Sequence, residues 1–145
     1  MAAAAFKVYN ETKRDLINGN IDLELIMRMA LYKSTSNTST FTLSAASELT
    51  NVVNAAGYTG TKTLTASVVV GANASTYKFT FANVIFTASG ADITSIMYAV
   101  IFESGGSLVC WSKLSTAVFS ITNGNTLTIA ANATGGAFTI SGGTA

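Results

Sequence analysis

The chain has 145 residues, of which 49% are hydrophobic and only 10% are charged, and its formal net charge is +1. This length fits one domain spanning 1–145, which can bury roughly two-thirds of the surface that the unfolded chain exposes, so no disulfide or metal is needed for stability. The absence of a strong basic cluster argues against nucleic-acid binding, and the seven-residue apolar run from Ile96 to Phe102 is far shorter than the ~18 residues of a membrane helix.

The low charge content also constrains the surface. An ordinary globular protein carries about 25% charged residues, so the exterior of this chain must consist largely of Ser, Thr, Asn, Gly and Ala. Such a surface loses little free energy when water is removed from it, which favours a protein that packs against neighbours. A free-standing β-domain with a threonine-rich surface is the alternative.

The N-terminal segment, 1–19, is predicted to contain an amphipathic helix over 6–18 that Gly19 ends. Residues at helical spacing share one side of it: Phe6, Tyr9, Lys13, Leu16 and Ile17. The apolar stretch before Lys7 is too short for a signal-peptide core, so we expect synthesis in the cytoplasm.

The next three segments change character in turn. Period-two alternation, with apolar residues at every odd position and a mostly polar set at the even ones, predicts one long strand over 21–32. The tract 33–40, KSTSNTST, has no apolar residue and is predicted to be a mobile polar loop, or an arm that becomes ordered against a neighbour. Helical spacing over 44–56, with Ser44 as the cap and Gly57 as the stop, predicts a second short helix.

From residue 60 onward the pattern is that of short strands separated by glycine-containing turns. The predicted strands are Leu64–Val70, Tyr77–Ile85, Ile93–Phe102, Leu108–Leu114, Val118–Ile121, Thr126–Ala130 and Ala137–Ile140. We therefore expect a mainly β fold, a two-layer antiparallel β-sandwich with one or two short helices near its N-terminal side.

Two hairpins are predicted within this region. The stretch 93–114 should fold back at Gly105–Gly106, and its first strand carries an apolar run long enough to be buried on both faces. Asn123–Gly124 is the sharpest turn signal, and it predicts a hairpin between the strands on either side of it.

Groups that could perform chemistry are scarce. The absence of histidine removes the usual nucleophile activation and histidine-ligated zinc, and the single Cys110, next to Trp111, is interpreted as a small buried hydrophobic residue. Asp22 and Glu24, about 7 Å apart on the outer face of one strand, could in principle hold a cation or serve a glycosidase, but solvated surface charge is the favoured interpretation. We therefore predict no catalytic residues, no metal and no cofactor.

The aromatic residues have two interpretations. Trp111 together with the tyrosines could form a platform for carbohydrate, as in lectin-like sandwiches. Because most of them lie within apolar runs, packing in the core is the favoured interpretation.

Four stretches resemble small virion proteins of tailed bacteriophages. They are FKVYNETKRDLINGNIDL (6–23) with ALYKS (30–34), ELTNVVNAAGYTGTKTL (48–64), FTASGADITSIMYAVIFESGGS (86–107) and NGNTLTIAANATGGAFTIS (123–141). The similarity covers nearly the whole chain in order. It implies a β-sandwich structural protein of the virus particle, either a capsid decoration (cement) protein or a neck, tail or fibre-associated component, with no catalytic residues.

This resemblance implies the major capsid protein, or another virion protein, as the partner, a homo-oligomer such as a trimer as the assembly state, and the virion as the location. We predict that 6–15 and 33–40 make the assembly contacts, because the first concentrates charge and the second can become ordered on contact. The candidate contact residues are Phe6, Tyr9, Lys13, Arg14, Ser34, Asn37 and Thr40. No membrane or nucleic-acid partner is expected.

Overall fold

A computed structural model describes residues 5–71 and 75–141. The fold is mainly β and its sheets are antiparallel, which confirms the predicted sandwich class with a short helix on the N-terminal side. The strands are β1 (Lys7–Val8), β2 (Met27–Lys33), β3 (Lys62–Thr63), β4 (Ala66–Val70), β5 (Thr76–Phe81), β6 (Val84–Thr87), β7 (Ile93–Glu103), β8 (Leu108–Lys113), β9 (Phe119–Ile121), β10 (Thr126–Ile129) and β11 (Phe138–Ser141). Helix α1 spans Asn10–Asn18, and a 3-10 turn spans Ala46–Glu48.

Strand β7 is the centre of the largest sheet, whose order is β1-β8-β7-β2-β3, with β9 also paired to β7. Its residues from Ile96 to Ile101 are buried on both faces of the sheet except for a partly buried Tyr98, as the uninterrupted apolar run predicts. The hairpin to β8 is also confirmed. Glu103 N donates to Ser107 O at 2.8 Å, and Gly106 adopts a φ of 103° that suits glycine.

Two smaller sheets, β10-β6 and β11-β5-β4, pack against one face of the large sheet. Period-two alternation turns Phe79 and Phe81 of β5 inward, and these rings join Met29 of β2 and Ile101 of β7 in one apolar cluster. This cluster is the sandwich core.

The opposite face of the large sheet is covered by the segment 34–50, which we call the cover segment. Tyr32, Val100 and Trp111 pack there against apolar residues that include Leu43 and Leu49. The large sheet therefore has no face fully open to water.

The tract 33–40 has no helix or strand after Lys33, as predicted of a loop, but it is not a fully solvated connection, because it forms the first part of this cover segment. Ser36 and Thr38 are buried, and their hydroxyls lie 2.7 Å apart in a hydrogen bond. Asn37 ties the loop to the end of the cover segment, since its Nδ2 donates to Glu48 O at 2.9 Å and its Oδ1 accepts from Thr50 N at 2.9 Å. The side chains of Ser36, Asn37 and Thr38 thus bond within the cover segment, whereas the other polar side chains of the loop, including Ser34 and Thr40, are exposed.

The predicted N-terminal helix ends at the expected residue but begins later than expected, at Asn10. Gly19 ends α1 in the left-handed conformation, with a φ of 75°. Lys7 and Val8 are strand residues instead, because they pair with Trp111 and Cys110 of β8. Residues 1–4 of the predicted N-terminal segment lie outside the described residues.

The predicted long strand begins six residues later than expected, at Met27. Residues before it form a turn, in which Asp22 Oδ1 accepts a hydrogen bond from Glu24 N at 2.9 Å and Asp22 O accepts one from Leu25 N at 3.2 Å. Asp22 and Glu24 therefore do not share the face of a strand.

The predicted helix over 44–56 is also wrong, and only the 3-10 turn Ala46–Glu48 is helical. Asn51 has a φ of 56°, which breaks any helix there. Val52 then pairs with Tyr32, and Val53 N donates to Leu31 O at 2.9 Å, so this segment satisfies the edge of β2 beyond the short β3. Val52 and Val53, whose spacing predicted a helix, lie instead along the edge of strand β2.

Two strand predictions need correction. The expected strand over 77–85 is divided at Ala82–Asn83 into β5 and β6, which belong to different sheets. The turn at Asn123–Gly124 forms, but no hairpin results, because β9 pairs with β7 while β10 pairs with β6. That turn links the two layers instead.

Candidate interaction surface

The carboxylates of Asp92 and Glu48 stabilise turns. Asp92 Oδ1 accepts from Asn123 N at 2.7 Å, which fixes the turn between the layers. Glu48 accepts from Ser44 N and Ala45 N at 2.9 and 2.8 Å, and these hydrogen bonds lower the pKa of its carboxyl. Within 5–71 and 75–141, no three His, Cys, Asp or Glu side chains form a group that could hold a metal ion.

Cys110 and Trp111 both belong to the interior. Cys110 is fully buried, and burial raises the pKa of its thiol, as expected of a packing residue. Trp111 is also buried, with its ring 5.8 Å from that of Phe41 and 5.9 Å from that of Tyr98. The core-packing interpretation of Trp111 is confirmed, and its face is not available as a carbohydrate platform.

The predicted contact residues of the N-terminal segment separate into three groups. Phe6 and Tyr9 are buried inside the chain, so neither offers a contact surface. Arg14 forms ion pairs with Glu11 at 2.5 Å and with Asp15 at 3.4 Å. Lys13 is exposed and, unlike Arg14, has no carboxylate within ion-pair distance among the described residues.

The predicted contact residues of the loop are placed differently from one another. Ser34 and Thr40 are exposed, whereas Asn37 is partly buried and holds the cover segment together. The structure does bring the two predicted contact segments together, because Tyr9 Oη donates to Thr38 O at 2.8 Å and Asn10 N donates to Phe41 O at 3.0 Å.

A groove between α1 and β11 is lined mainly by apolar side chains and has a volume of about 240 Å³. Its lining consists of apolar side chains, one hydroxyl and one cation: Val8, Lys13, Leu16, Ile17, Phe138, Thr139 and Ile140. Ile17 is 87% exposed, although its position on the predicted helix indicated the buried side. We call this concavity the α1–β11 groove.

An exposed apolar row continues from this groove across the three-stranded sheet. Val70, Tyr77 and Ile140 are directly paired across β4, β5 and β11, and they are 55%, 53% and 52% exposed. By strand alternation they lie on the same face as the buried Phe79, which is the core face. The core face of this sheet therefore extends past the part that the large sheet covers. We call these three residues the apolar row.

A second, wider hollow of about 520 Å³ adjoins the groove and shares Phe138 and Thr139 with it. Its wall includes the turn in which Asn132 Oδ1 accepts from Thr134 N and Gly135 N, both at 2.9 Å. Strand β11 thus lies between two depressions, and among the described residues its only strand partner is β5.

Sequence reasoning missed the groove and the row because both arise where elements distant in sequence end together. The available signal was the apolar Ile140 at the end of a predicted strand and the pair Leu16–Ile17 at the end of a helix.

No helix among the described residues is long and apolar enough to cross a membrane. No protein-family model, no curated protein and no solved structure matches the chain.

Proposed function

We propose that this chain is a non-enzymatic structural protein of a bacteriophage particle, a capsid decoration (cement) protein. In this role it binds the outer shell, contacts the major capsid protein and stabilises the junctions between capsomers, as a homo-oligomer for which we propose a trimer. The resemblance of four stretches, covering 6–141 in order, supports the proposal.

The observation that carries the proposal is the apolar row next to the α1–β11 groove. Charged residues are few, and apolar side chains as exposed as Ile17 and Tyr77 stand together on one side of the protein. Burying apolar surface contributes ~25 cal/mol per Å², from which the free-energy loss on association must be subtracted. A shell offers many equivalent sites, so a small net gain at each site is enough to strengthen the whole particle.

The sandwich itself suits this role. A fold with buried strands in both layers presents its surface on a rigid frame, and little conformational freedom is then lost on binding. Most homo-oligomers are symmetric, and a symmetric oligomer on a symmetric shell can make the same contact with each of its subunits.

Counting the copies of this chain relative to the major capsid protein in purified particles, by quantitative mass spectrometry, tests the proposal. A ratio near one, or a simple large fraction of it, is expected. A few to a few dozen copies per particle would contradict decoration and assign the chain to the neck, tail or fibres, which is the second candidate from the same resemblance.

A further inference from the structure

Among the described residues, strand β11 has no strand partner on the side away from β5, although Phe6 N donates to Ala137 O at 3.0 Å just before the strand begins. Among the described residues it pairs only with β5, and the side away from β5 borders the α1–β11 groove. An unpaired strand edge presents backbone N–H and C=O groups that a further extended segment can bond. This combination of open edge and adjacent groove is the geometry of β-strand addition.

The groove provides places for alternate side chains of such a segment. Phe138 and Ile140 lie on one face of β11, two residues apart, and Leu16 and Ile17 of α1 form the other wall. A strand added beside β11 would direct every second side chain onto these apolar groups. The apolar row extends the contact to Tyr77 and Val70.

Among the described residues that line the groove, Lys13 is the only charged one, and it has no ion pair with a described residue. Its neighbour Arg14 is already paired with Glu11 and Asp15, so those two carboxylates are engaged. An occupant that carries a carboxylate opposite Lys13 complements the groove, whereas a basic occupant would be repelled.

We propose that the α1–β11 groove receives an extended segment of the major capsid protein, which adds to β11 as a strand. The segment has apolar residues at alternate positions and an Asp or Glu that pairs with Lys13. This inference rests on the proposed decoration function. A second copy of the chain fits less well, because a symmetric contact through the same groove offers Lys13 again and no carboxylate.

Binding of purified variants to shells stripped of this chain, measured by co-sedimentation over a range of concentrations, tests the proposal. We expect Ile17→Glu, Ile140→Glu and Lys13→Glu each to weaken binding at least about tenfold, as residues at the centre of an interface do. Lys13→Arg should retain binding. Ile85→Glu is the matched control, because Ile85 is 52% exposed on β6 and does not line the groove.

Each variant is checked for folding by its thermal transition. Ile17→Glu should disturb the fold least, because the Ile17 side chain is 87% exposed. If the native chain binds shells and all three groove variants bind within about twofold of it, the groove proposal is wrong and decoration stands. If the native chain itself does not bind stripped shells, the decoration function is wrong as well.

Cross-linking identifies the occupant directly. Cys110 is buried, so Ile17→Cys supplies one accessible thiol for a photoactivatable cross-linker. On assembled particles we expect cross-links to a capsid-protein segment with alternating apolar residues and a nearby carboxylate, together with slower amide exchange at 138–141. Cross-links only to another copy of this chain would overturn the proposal.

Discussion

The hydroxyl of Tyr9 donates a 2.8 Å hydrogen bond to the backbone carbonyl of Thr38, and both residues are fully buried. This bond joins the start of the chain to the cover segment over the second face of the large sheet. We expect Tyr9→Phe to reduce the free energy of unfolding by about 1–3 kcal/mol, because it leaves the Thr38 carbonyl buried without its partner. Urea unfolding measures the change.

The control for this prediction is Tyr77→Phe, since Tyr77 is about half exposed. Its loss of stability should be well below that of Tyr9→Phe. Equal effects of the two substitutions would show that the Tyr9 hydrogen bond has no special importance.

Gly57 marks a close approach between two backbone segments. A Cβ at this position would lie 1.9 Å from Ala91 O and 2.9 Å from Asp92 O, and neither atom can move without shifting the start of β7. We expect Gly57→Ala to destabilise the fold by at least about 2 kcal/mol. Gly105→Ala is the matched control, because a Cβ there meets nothing within 4 Å; thermal unfolding of both variants that showed equal losses would contradict the argument.

Alkaline pH should unfold the protein through its buried tyrosines. Burial raises the pKa of Tyr58 to about 12, even though the hydrogen bond from Leu31 N lowers it, and burial also raises the pKa of Tyr9 and Tyr32. A raised pKa means that the folded state favours the protonated form. Its contribution is complete below the unfolded value of 10.0 and is lost as the pH rises through the folded value near 12.

Urea unfolding from pH 8 to 12 measures this loss, with phenolate absorbance as a second signal. Stability should stay nearly constant to about pH 9, begin to fall above the unfolded value of 9.0 of the buried Cys110 thiol, and fall more steeply above the unfolded tyrosine value of 10.0. In Tyr58→Phe the fall should be shallower, because one titrating group is absent. An unchanged slope in that variant would count against Tyr58 as a contributor.

Acid should loosen the cover segment through Glu48. Hydrogen bonds from Ser44 N, Ala45 N and the Ser44 hydroxyl lower the pKa of this carboxyl, so its contribution to stability is present above the unfolded value of 4.5 and is lost as the pH falls through the lower folded value. Protection of the amides at 44–48, which is the intrinsic exchange rate at each pH divided by the observed rate, should therefore fall below about pH 4.5. Glu48→Gln should remove this pH dependence, whereas Glu24→Gln at another exposed glutamate should leave it intact.

Most strands after residue 60 could be predicted within one or two residues, because alternation and glycine turns are local properties. The β7–β8 hairpin is an example, since its strands, turn and burial all follow from the stretch 93–114 alone. Pairing between strands that are distant in the sequence could not be predicted in the same way. The turn at Asn123–Gly124 has the sequence of a hairpin, yet its two strands bond different sheets.

Tertiary contacts also override helical spacing in 44–56. Leu49, Val52 and Val53 have helical spacing, but the edge of β2 forms backbone hydrogen bonds with Asn51 O and Val53 N that a helix would exclude. The α1–β11 groove was harder to predict from the sequence than the strands. Ile17 and Ile140 are recognisable as apolar residues, but their exposure depends on how α1 and β11, which are distant in sequence, lie next to each other in the fold.

The pairing of β2 with β7 has a consequence for synthesis. Met29 pairs with Ile101, so the ribosome completes β2 long before its partner, a delay on the order of several seconds at typical elongation rates. During that interval the apolar side of β2, with Met27 and Leu31, has no native cover. We therefore expect overproduction at high temperature to favour inclusion bodies over folded protein, because aggregation of incomplete chains competes with the late pairing of β2 and β7.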